Sequence, residues 1–572
     1  MRSGVKLMKL KHLFASAALA AAPAVLPVAG SGAAIAQPAD FRARADAILA
    51  AAYPADGPGA TVIVTRGGRT IYSASRGMAD IAGRRPLTAD SVFRLGSLTK
   101  QFTAAMVLQL VQEGRISLDD PVSRFFPDYP QPGAAATVRQ LLNHTSGIQS
   151  YTSIPGFMRD EAQTNRPYST AEMVALFRDR PPATPPGQAW AYNNSGYVLL
   201  GAIVERVTGK PWHRVLAERI TGPLGLGSIG YGVERESLPG MARGYSGGDA
   251  QAGPMRRLHM SVPHAAGALV GSAADMARWG QALHHGRVVS PEMYRLMTSP
   301  APLAGGGTHP YGMGLQMEQL RGRPSIGHSG GIFGFSTFAV YVPAQDVYVV
   351  VLANSDNAAT PPGVAAWRLA ALAVGDPFPV FTRTEAAPAA VAPFLGVYRI
   401  GDGSATRRFF TRDGKLFTQR EGGQDLEVFA AGGDRFFYGP NSLTWFRMTR
   451  GADGVPVMEM YPEGEPAAER AVRTGDLPPE PAAFEVGRAV LQSYVGRYET
   501  GGPGADIALR DDGVLTVQLT GQEAIPMRAV SATEFIVQGV NARIVFHPEN
   551  GQANRFVIHQ GGRQLEARRA AR

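Results

Sequence analysis

The sequence predicts an α+β domain whose sheet joins distant chain segments, followed by two small all-β modules. Three observations carry this. Strand-like runs lie at both ends of the first ~340 residues, with helix-like stretches between them. The texture changes near residue 376 to a Pro/Ala-rich stretch. Beyond it, "FLGVYRI" recurs as "YVGRYET" at an offset of 100 residues, so Gly396 and Tyr398 match Gly496 and Tyr498.

Residues 1–36 read as an export signal, with cations Arg2, Lys6, Lys9 and Lys11, an apolar stretch, and Ala34-Ile35-Ala36 as an A-x-A cleavage site before Gln37. The expected location is the periplasm or the medium. No later segment has the ~18 uninterrupted apolar residues of a membrane span. "ADFRARADAILAAAY" has helical spacing, with Phe41, Ala45, Ile48 and Leu49 on one face. "ATVIVTRGGRTIYSASRG" reads as a hairpin turning at Arg66-Gly67-Gly68-Arg69. From Leu98 to Glu113 the spacing is helical, with Phe102, Met106, Leu110 and Val111 sharing a face. "FSTFAVYVPAQDVYVVVLANS" reads as two adjacent strands joined at Pro343-Ala344-Gln345-Asp346. The expected domains are 37–376, a linker 377–392, a β-barrel-like module 393–475, a linker 476–489 and a second such module 490–572. Asp413-Gly414 and Asp512-Gly513 are their D-G hairpin turns.

Composition narrows the chemistry. There is no cysteine, which rules out disulfides, thiolate metal sites and a cysteine nucleophile. The net charge is +9, four of which belong to the leader, and the rest is spread without basic–aromatic interleaving. Nucleic acid is not an expected partner. His144, His264, His284, His285 and His328 are scattered without H-E-x-x-H, so no metal or other cofactor is expected; His284-His285 reads as a solvated pair after a helix.

Of 56 basic residues only six are lysine, and three of those lie in the leader. One of the remaining three, Lys100, follows Ser97 by three residues, about one helical turn. A serine hydroxyl is a weak nucleophile until a base takes its proton. Lysine can be that base only when neutral, and at an ordinary pKa about one in 2,500 is neutral at pH 7. Burial or a second cation must lower that pKa by several units. Arginine cannot substitute, because it stays protonated. The alternative makes Ser97 a helix cap and Lys100 a solvated first-turn residue.

Two other stretches matter. Tyr192-Asn193-Asn194 precedes an apolar helix-like run. A phenol near an ammonium can have its pKa lowered enough to shuttle protons, and an asparagine amide can hold a substrate carbonyl or amide; the plain alternative has Asn194 capping and Tyr192 in the core. In His328-Ser329-Gly330-Gly331, small residues would let a substrate backbone approach, and the Gly331 N–H could complete an oxyanion hole with that of Ser97; the alternative is a Gly-rich turn. Gly327-His328-Ser329-Gly330-Gly331 also fits G-x-S-x-G, the α/β-hydrolase nucleophile elbow, but "IFGFSTFAVYVP" after it reads as strand where that elbow needs helix.

Together, S-x-x-K, Y-x-N and H-x-G, with "GRISLDDPVSRFFPDYP", "VRQLLNHTSGI" and "AAGALVGSAADMARWGQAL", resemble the serine β-lactamase-like family over about residues 40–375. That family includes class C β-lactamases, D,D-carboxypeptidases, D-aminopeptidases and esterases. The resemblance implies a helical lobe beside an antiparallel sheet flanked by helices. It implies Ser97 as the acylated nucleophile, Lys100 and Tyr192 managing its proton, Asn194 orienting substrate, His328 and Gly330 flanking it, and Ser97 and Gly331 forming the oxyanion hole. β-Lactamases usually carry lysine, in K-T-G, where His328 stands, so efficient penicillin hydrolysis is not expected. The layout, a catalytic domain and two β-modules, resembles D-aminopeptidases. The implied activity is an exported serine hydrolase of small amides or peptides, cell-wall-derived or containing D-amino acids. An esterase on the same site and an inactive penicillin-binding-like sensor are the alternatives. A module overhanging the pocket would shape substrate range.

Overall fold

The computed structural model describes residues 39–570 apart from 238, 480–483, 501–503, 520–522, 539, 541, 550 and 561–562, so the expected leader lies outside the described residues. A six-stranded antiparallel sheet forms the centre of the first domain. Its strands are β1 (Ala60–Arg66), β2 (Arg69–Arg76), β3 (Gln316–Leu320), β4 (Arg323–Ile332), β5 (Phe335–Val342) and β6 (Val347–Ala353), in the order β3-β4-β5-β6-β1-β2. Early and late segments of the first domain thus meet at the β6–β1 seam, where Val62 faces Val351 in register. The two hairpins turn where the sequence places them. Gly67 and Gly68 both have positive φ (55° and 71°), the conformation a two-residue turn between right-twisted strands requires.

Helices cover both faces. α1 (Ala39–Ala52) and α5 (Pro362–Ala373) pack on one face, where Phe41, Ala45 and Leu49 are buried in one cluster with the valines of β6, Phe41 meeting Tyr72 of β2 edge-on. α2 (Thr99–Gln112), α3 (Asn194–Thr208) and α4 (Ala273–His284) belong to the core on the other side. One face of α2 was expected to be buried. Instead Thr99 to Leu108 and Leu110 are all buried, because the helix is wedged between the sheet domain and the helical lobe. Phe102 stacks on Trp279 at 3.9 Å. Burying side chains such as Phe102, Met106 and Leu110 stabilises the fold by about 1.5–3 kcal/mol each.

Beyond the first domain come two closed eight-stranded barrels, Gly396–Ile400 to Glu469–Gly475 and Gly496–Glu499 to Arg563–Arg569. The sequence repeat has a structural reason. The hydroxyl of Tyr398 donates to the Phe394 carbonyl, and that of Tyr498 donates to the Tyr494 carbonyl, the same four-residue tie in each barrel. Beside each tyrosine an arginine lies where a Cβ on the repeated glycine would stand, Arg473 at Gly396 and Arg569 at Gly496. The first D-G turn is a tight one, with Asp413 and Gly414 both at positive φ; the second lies in a longer loop, Arg510 to Val514.

The first barrel grips the β3–β4 hairpin. Glu465 accepts from the Arg321 and Gly322 amides at 2.8 and 2.7 Å, and the Arg321 guanidinium donates to the Gly464 carbonyl. Among the described residues no helix is long and apolar enough to cross a membrane, and no group of three or more side chains could hold a metal ion. The histidine pair departs from expectation. His285 is exposed and pairs with Asp346, but the His284 ring stacks on Tyr341 at 4.1 Å and bonds the Tyr294 hydroxyl.

Candidate active site

Ser97 stands in a single 3-10 turn, Gly96–Leu98, that leads into α2. Gly96 has φ 54°, and a Cβ there would come within 3.0 Å of the Gly331 nitrogen. The turn is held from several sides. The Leu95 amide donates to the Leu269 carbonyl, the Leu269 amide donates to the Thr99 hydroxyl, and the Thr337 hydroxyl donates to the Leu95 carbonyl at 2.9 Å. Ser97 caps nothing, and Lys100 is not solvated.

Lys100 is fully buried. Its Nζ lies 3.1 Å from Ser97 Oγ, 2.8 Å from Asn194 Oδ1 and 2.9 Å from the Ala266 carbonyl oxygen. Among the described residues no carboxylate pairs with it, and burial holds its pKa well below the ordinary lysine value. Asn194 is fixed in turn: its Nδ2 donates to Thr152 Oγ1 at 3.2 Å and its amide to Ser150 Oγ. The cap of α3 is Asn193, whose Oδ1 accepts from the Gly196 amide at 2.9 Å, so Asn194 is left for the site.

Tyr192 is 37% exposed, with its ring centroid 4.7 Å from Lys100 Nζ. Its phenol departs from the expected direction. Desolvation raises its pKa, opposed by a weaker interaction with the Ser97 hydroxyl, so the phenol stays protonated beside a lysine whose own pKa falls. His144 positions Tyr192. Its carbonyl accepts from the Ala191 amide (3.0 Å) and its Nδ1 accepts from the Asn193 amide (3.1 Å), bracketing Tyr192 on both sides. His144 is buried, at φ 64°, and its ring packs 4.5 Å from that of Tyr192.

The edge strand β3 pairs with β4 only as far as Gly327, and the Ser97 turn lies against the uncovered remainder of β4. Gly330 is buried there. A Cβ on it would stand 2.2 Å from Thr337 Oγ1, 2.3 Å from the Leu95 carbonyl oxygen and 3.2 Å from the Ser97 nitrogen. The glycine therefore admits the chain's own Ser97 turn rather than a substrate backbone. Gly331 faces open space and, with Ser97, lines a cavity of about 320 Å³.

His328 is buried and does not line this cavity. Its Nδ1 lies 2.5 Å from the Ser329 carbonyl oxygen, so that nitrogen donates, and its Nε2 accepts from the Tyr311 hydroxyl at 2.9 Å. Both ring nitrogens are thus used inside the protein. Burial and the nearby Lys100 push its pKa down to about 3. The histidine expected to flank substrate instead ties β4 to Tyr311. The elbow reading also fails, because Gly327–Gly331 lies within strand β4, which runs by a hairpin into β5.

The cavity is lined by Ser97, Tyr151, Thr152, Asn194 and Gly331 together with apolar side chains including Met158, Val262, Phe333 and Phe335. Among the described residues its lining falls between 96 and 356, and none of it comes from either barrel.

The Beta-lactamase family model matches residues 47–374. The chain belongs to the beta-lactamase family. Within this family it is 27% identical over 436 residues to penicillin-binding protein 4* of Bacillus subtilis, covering 72% of this chain and 94% of that protein. It is 28% identical over 402 residues to a D-aminopeptidase of Cereibacter sphaeroides, covering 70% of each. Among solved structures, the octameric penicillin-binding protein homologue from Pyrococcus abyssi aligns with a TM-score of 0.53 at 23% identity, covering 76% of this chain and 99% of that one, a likeness of fold.

Proposed function

We propose that the protein is a serine amidohydrolase, D-aminopeptidase-like, acting through an acyl-enzyme on Ser97. One observation carries it. A neutral Lys100 amine has two N–H bonds and one lone pair. Two of its three neighbours, Asn194 Oδ1 and the Ala266 carbonyl, carry no proton and can only accept. They use both N–H bonds and leave the lone pair for the Ser97 hydroxyl 3.1 Å away. Lys100 is arranged as the base.

In this reading Ser97 Oγ attacks the substrate carbonyl as Lys100 takes its proton. The oxyanion sits at the Ser97 and Gly331 amides, where fixed donors cost no reorganisation. When the C–N bond breaks, the leaving amine takes a proton from the Tyr192 phenol, which recovers one from the Lys100 ammonium. Water then cleaves the acyl ester by the reverse relay. Asn194 holds Lys100 and orients the substrate amide. His328 and Gly330 act one layer behind, holding β4 against the Ser97 turn.

The amide preference is supported by the D-aminopeptidase likeness over 70% of the chain. Esters pass through the same acyl-enzyme, so esterase activity is the second reading. No lysine takes the place of His328, and the neutral buried ring gives a penicillin carboxylate no anchor. Residues 1–36 support export to the periplasm or medium. A panel of D- and L-aminoacyl p-nitroanilides, p-nitrophenyl esters and penicillins tests the reading. The expected order of kcat/KM puts aminoacyl amides well above penicillins; esters turned over with no amide cleavage would favour the esterase.

A further inference from the structure

The cavity over Ser97 has one ionisable side chain on its walls apart from the phenol of Tyr151, and it is Asp356. Register explains its position. Gly331 pairs with Ser336 across β4–β5, Ser336 pairs with Ala353 across β5–β6, and Asp356 follows three residues after Ala353. It therefore emerges at the same end of the sheet as Gly331. Its carboxylate is held in place: Oδ2 accepts from the Gly334 amide at 2.8 Å and from the Ser246 hydroxyl at 3.1 Å. Among the described residues no cation pairs with it. The Arg256 guanidinium lies over the ring of Phe333, a lining residue of the cavity, at 4.7 Å and donates to the Arg159 carbonyl.

A fixed carboxylate with no cation partner, at the exposed edge of a cavity lined mostly by apolar side chains, selects a ligand with a cation beside an apolar body. We propose that Asp356 binds the α-ammonium of the substrate, so that the site takes amides of apolar amino acids with a free amino group. This rests on the serine amidohydrolase reading. Lys100 lies beneath Ser97 and draws no ammonium, so Asp356 supplies the polarity that places the α-carbon with its carbonyl at Ser97 and its side chain against Met158, Val262 and Phe335.

Calorimetry on the Ser97→Ala protein tests this without turnover. The ligands are phenylalanine amide and 3-phenylpropanamide, which lacks only the amino group. The expected result is about tenfold tighter binding of the ammonium form, the worth of a charge-assisted hydrogen bond. That ratio should fall toward one in Ser97→Ala/Asp356→Asn, where the amide oxygen still accepts from Gly334. Asp356→Ser is the second variant should the asparagine protein not fold. A ratio near one in Ser97→Ala itself, or one that survives loss of the carboxylate, overturns the proposal. Failure of the hydrolase reading shows separately, as a wild-type protein that binds the ammonium ligand but turns over no amide or ester.

Discussion

Lys100 Nζ lies 2.8 Å from Oδ1 of Asn194, an amide oxygen where a buried ammonium would need a carboxylate. A buried cation without a counter-charge is costly, so the folded protein favours the neutral amine. The same contact aims that amine at Ser97.

Lys100→Arg keeps a cation and removes the base. Turnover should fall about 10²–10⁴-fold, the usual worth of a general base. Because a guanidinium cannot discharge in the buried site, the thermal midpoint should fall as well. Lys100→Met should lose the same activity while retaining more stability. Near-normal turnover in either variant would refute the proton-acceptor role.

The pH profile should have its acid limb from Lys100 alone. Its pKa is lowered, so the amine is neutral above that value and activity is lost as pH falls through it. His328, at about 3, is already neutral throughout pH 5–8 and should add no limb there. kcat/KM against pH for wild type and His328→Gln checks this. A limb near pH 6.5 that vanishes in the variant would contradict it.

Gly330→Ala should reduce turnover far more than Gly331→Ala reduces stability. The new methyl at residue 330 would collide with Thr337 Oγ1 and the Leu95 carbonyl, the two atoms whose hydrogen bond holds the Ser97 turn. Such overpacking costs about 1–3 kcal/mol. At residue 331 a Cβ meets nothing within 4 Å, so the melting temperature should hold. Equal melting temperatures and full activity at residue 330 would show that the turn has room.

Glu318, on β3, is partly buried, and burial with the nearby Glu463 raises its pKa to about 7. A carboxyl with a raised folded pKa binds more protons folded than unfolded between about pH 4.5 and 7, so its contribution falls as pH rises through that window. Glu318→Gln should therefore raise the melting temperature at pH 8 and leave it unchanged at pH 4. A gain at pH 4 equal to that at pH 8 would assign the effect to something other than ionisation.

Much of this was legible in the letters. Gly67-Gly68 and Asp413-Gly414 mark turns because few other residues adopt positive φ. Strands β5 and β6 show as β-branched runs, and a lysine one turn after a serine marks the Ser97–Lys100 pair that we propose as nucleophile and base. Other features left no such mark. The Ala266 carbonyl that completes the Lys100 site is backbone and has no letter. Gly330 reads equally as room for substrate or room for the chain itself, and only the tertiary approach of the Ser97 turn decides. His328 looked like a ligand-facing residue because its partner, Tyr311, lies in a loop with no periodicity. A charged neighbour is expected to lower the Tyr192 pKa, but burial raises it and lowers that of Lys100. His144 brackets Tyr192 by accepting from the Ala191 amide with its carbonyl and from the Asn193 amide with its ring Nδ1, contacts that only the fold brings together.

The central claim is that Ser97 is an activated nucleophile. Incubating the protein with a serine-phosphonylating probe, then locating the added mass by peptide mapping with Ser97→Ala as control, tests it most directly. The account predicts mass on Ser97 and none in the control. Mass on Ser329, or a folded protein that takes up no probe, would contradict it.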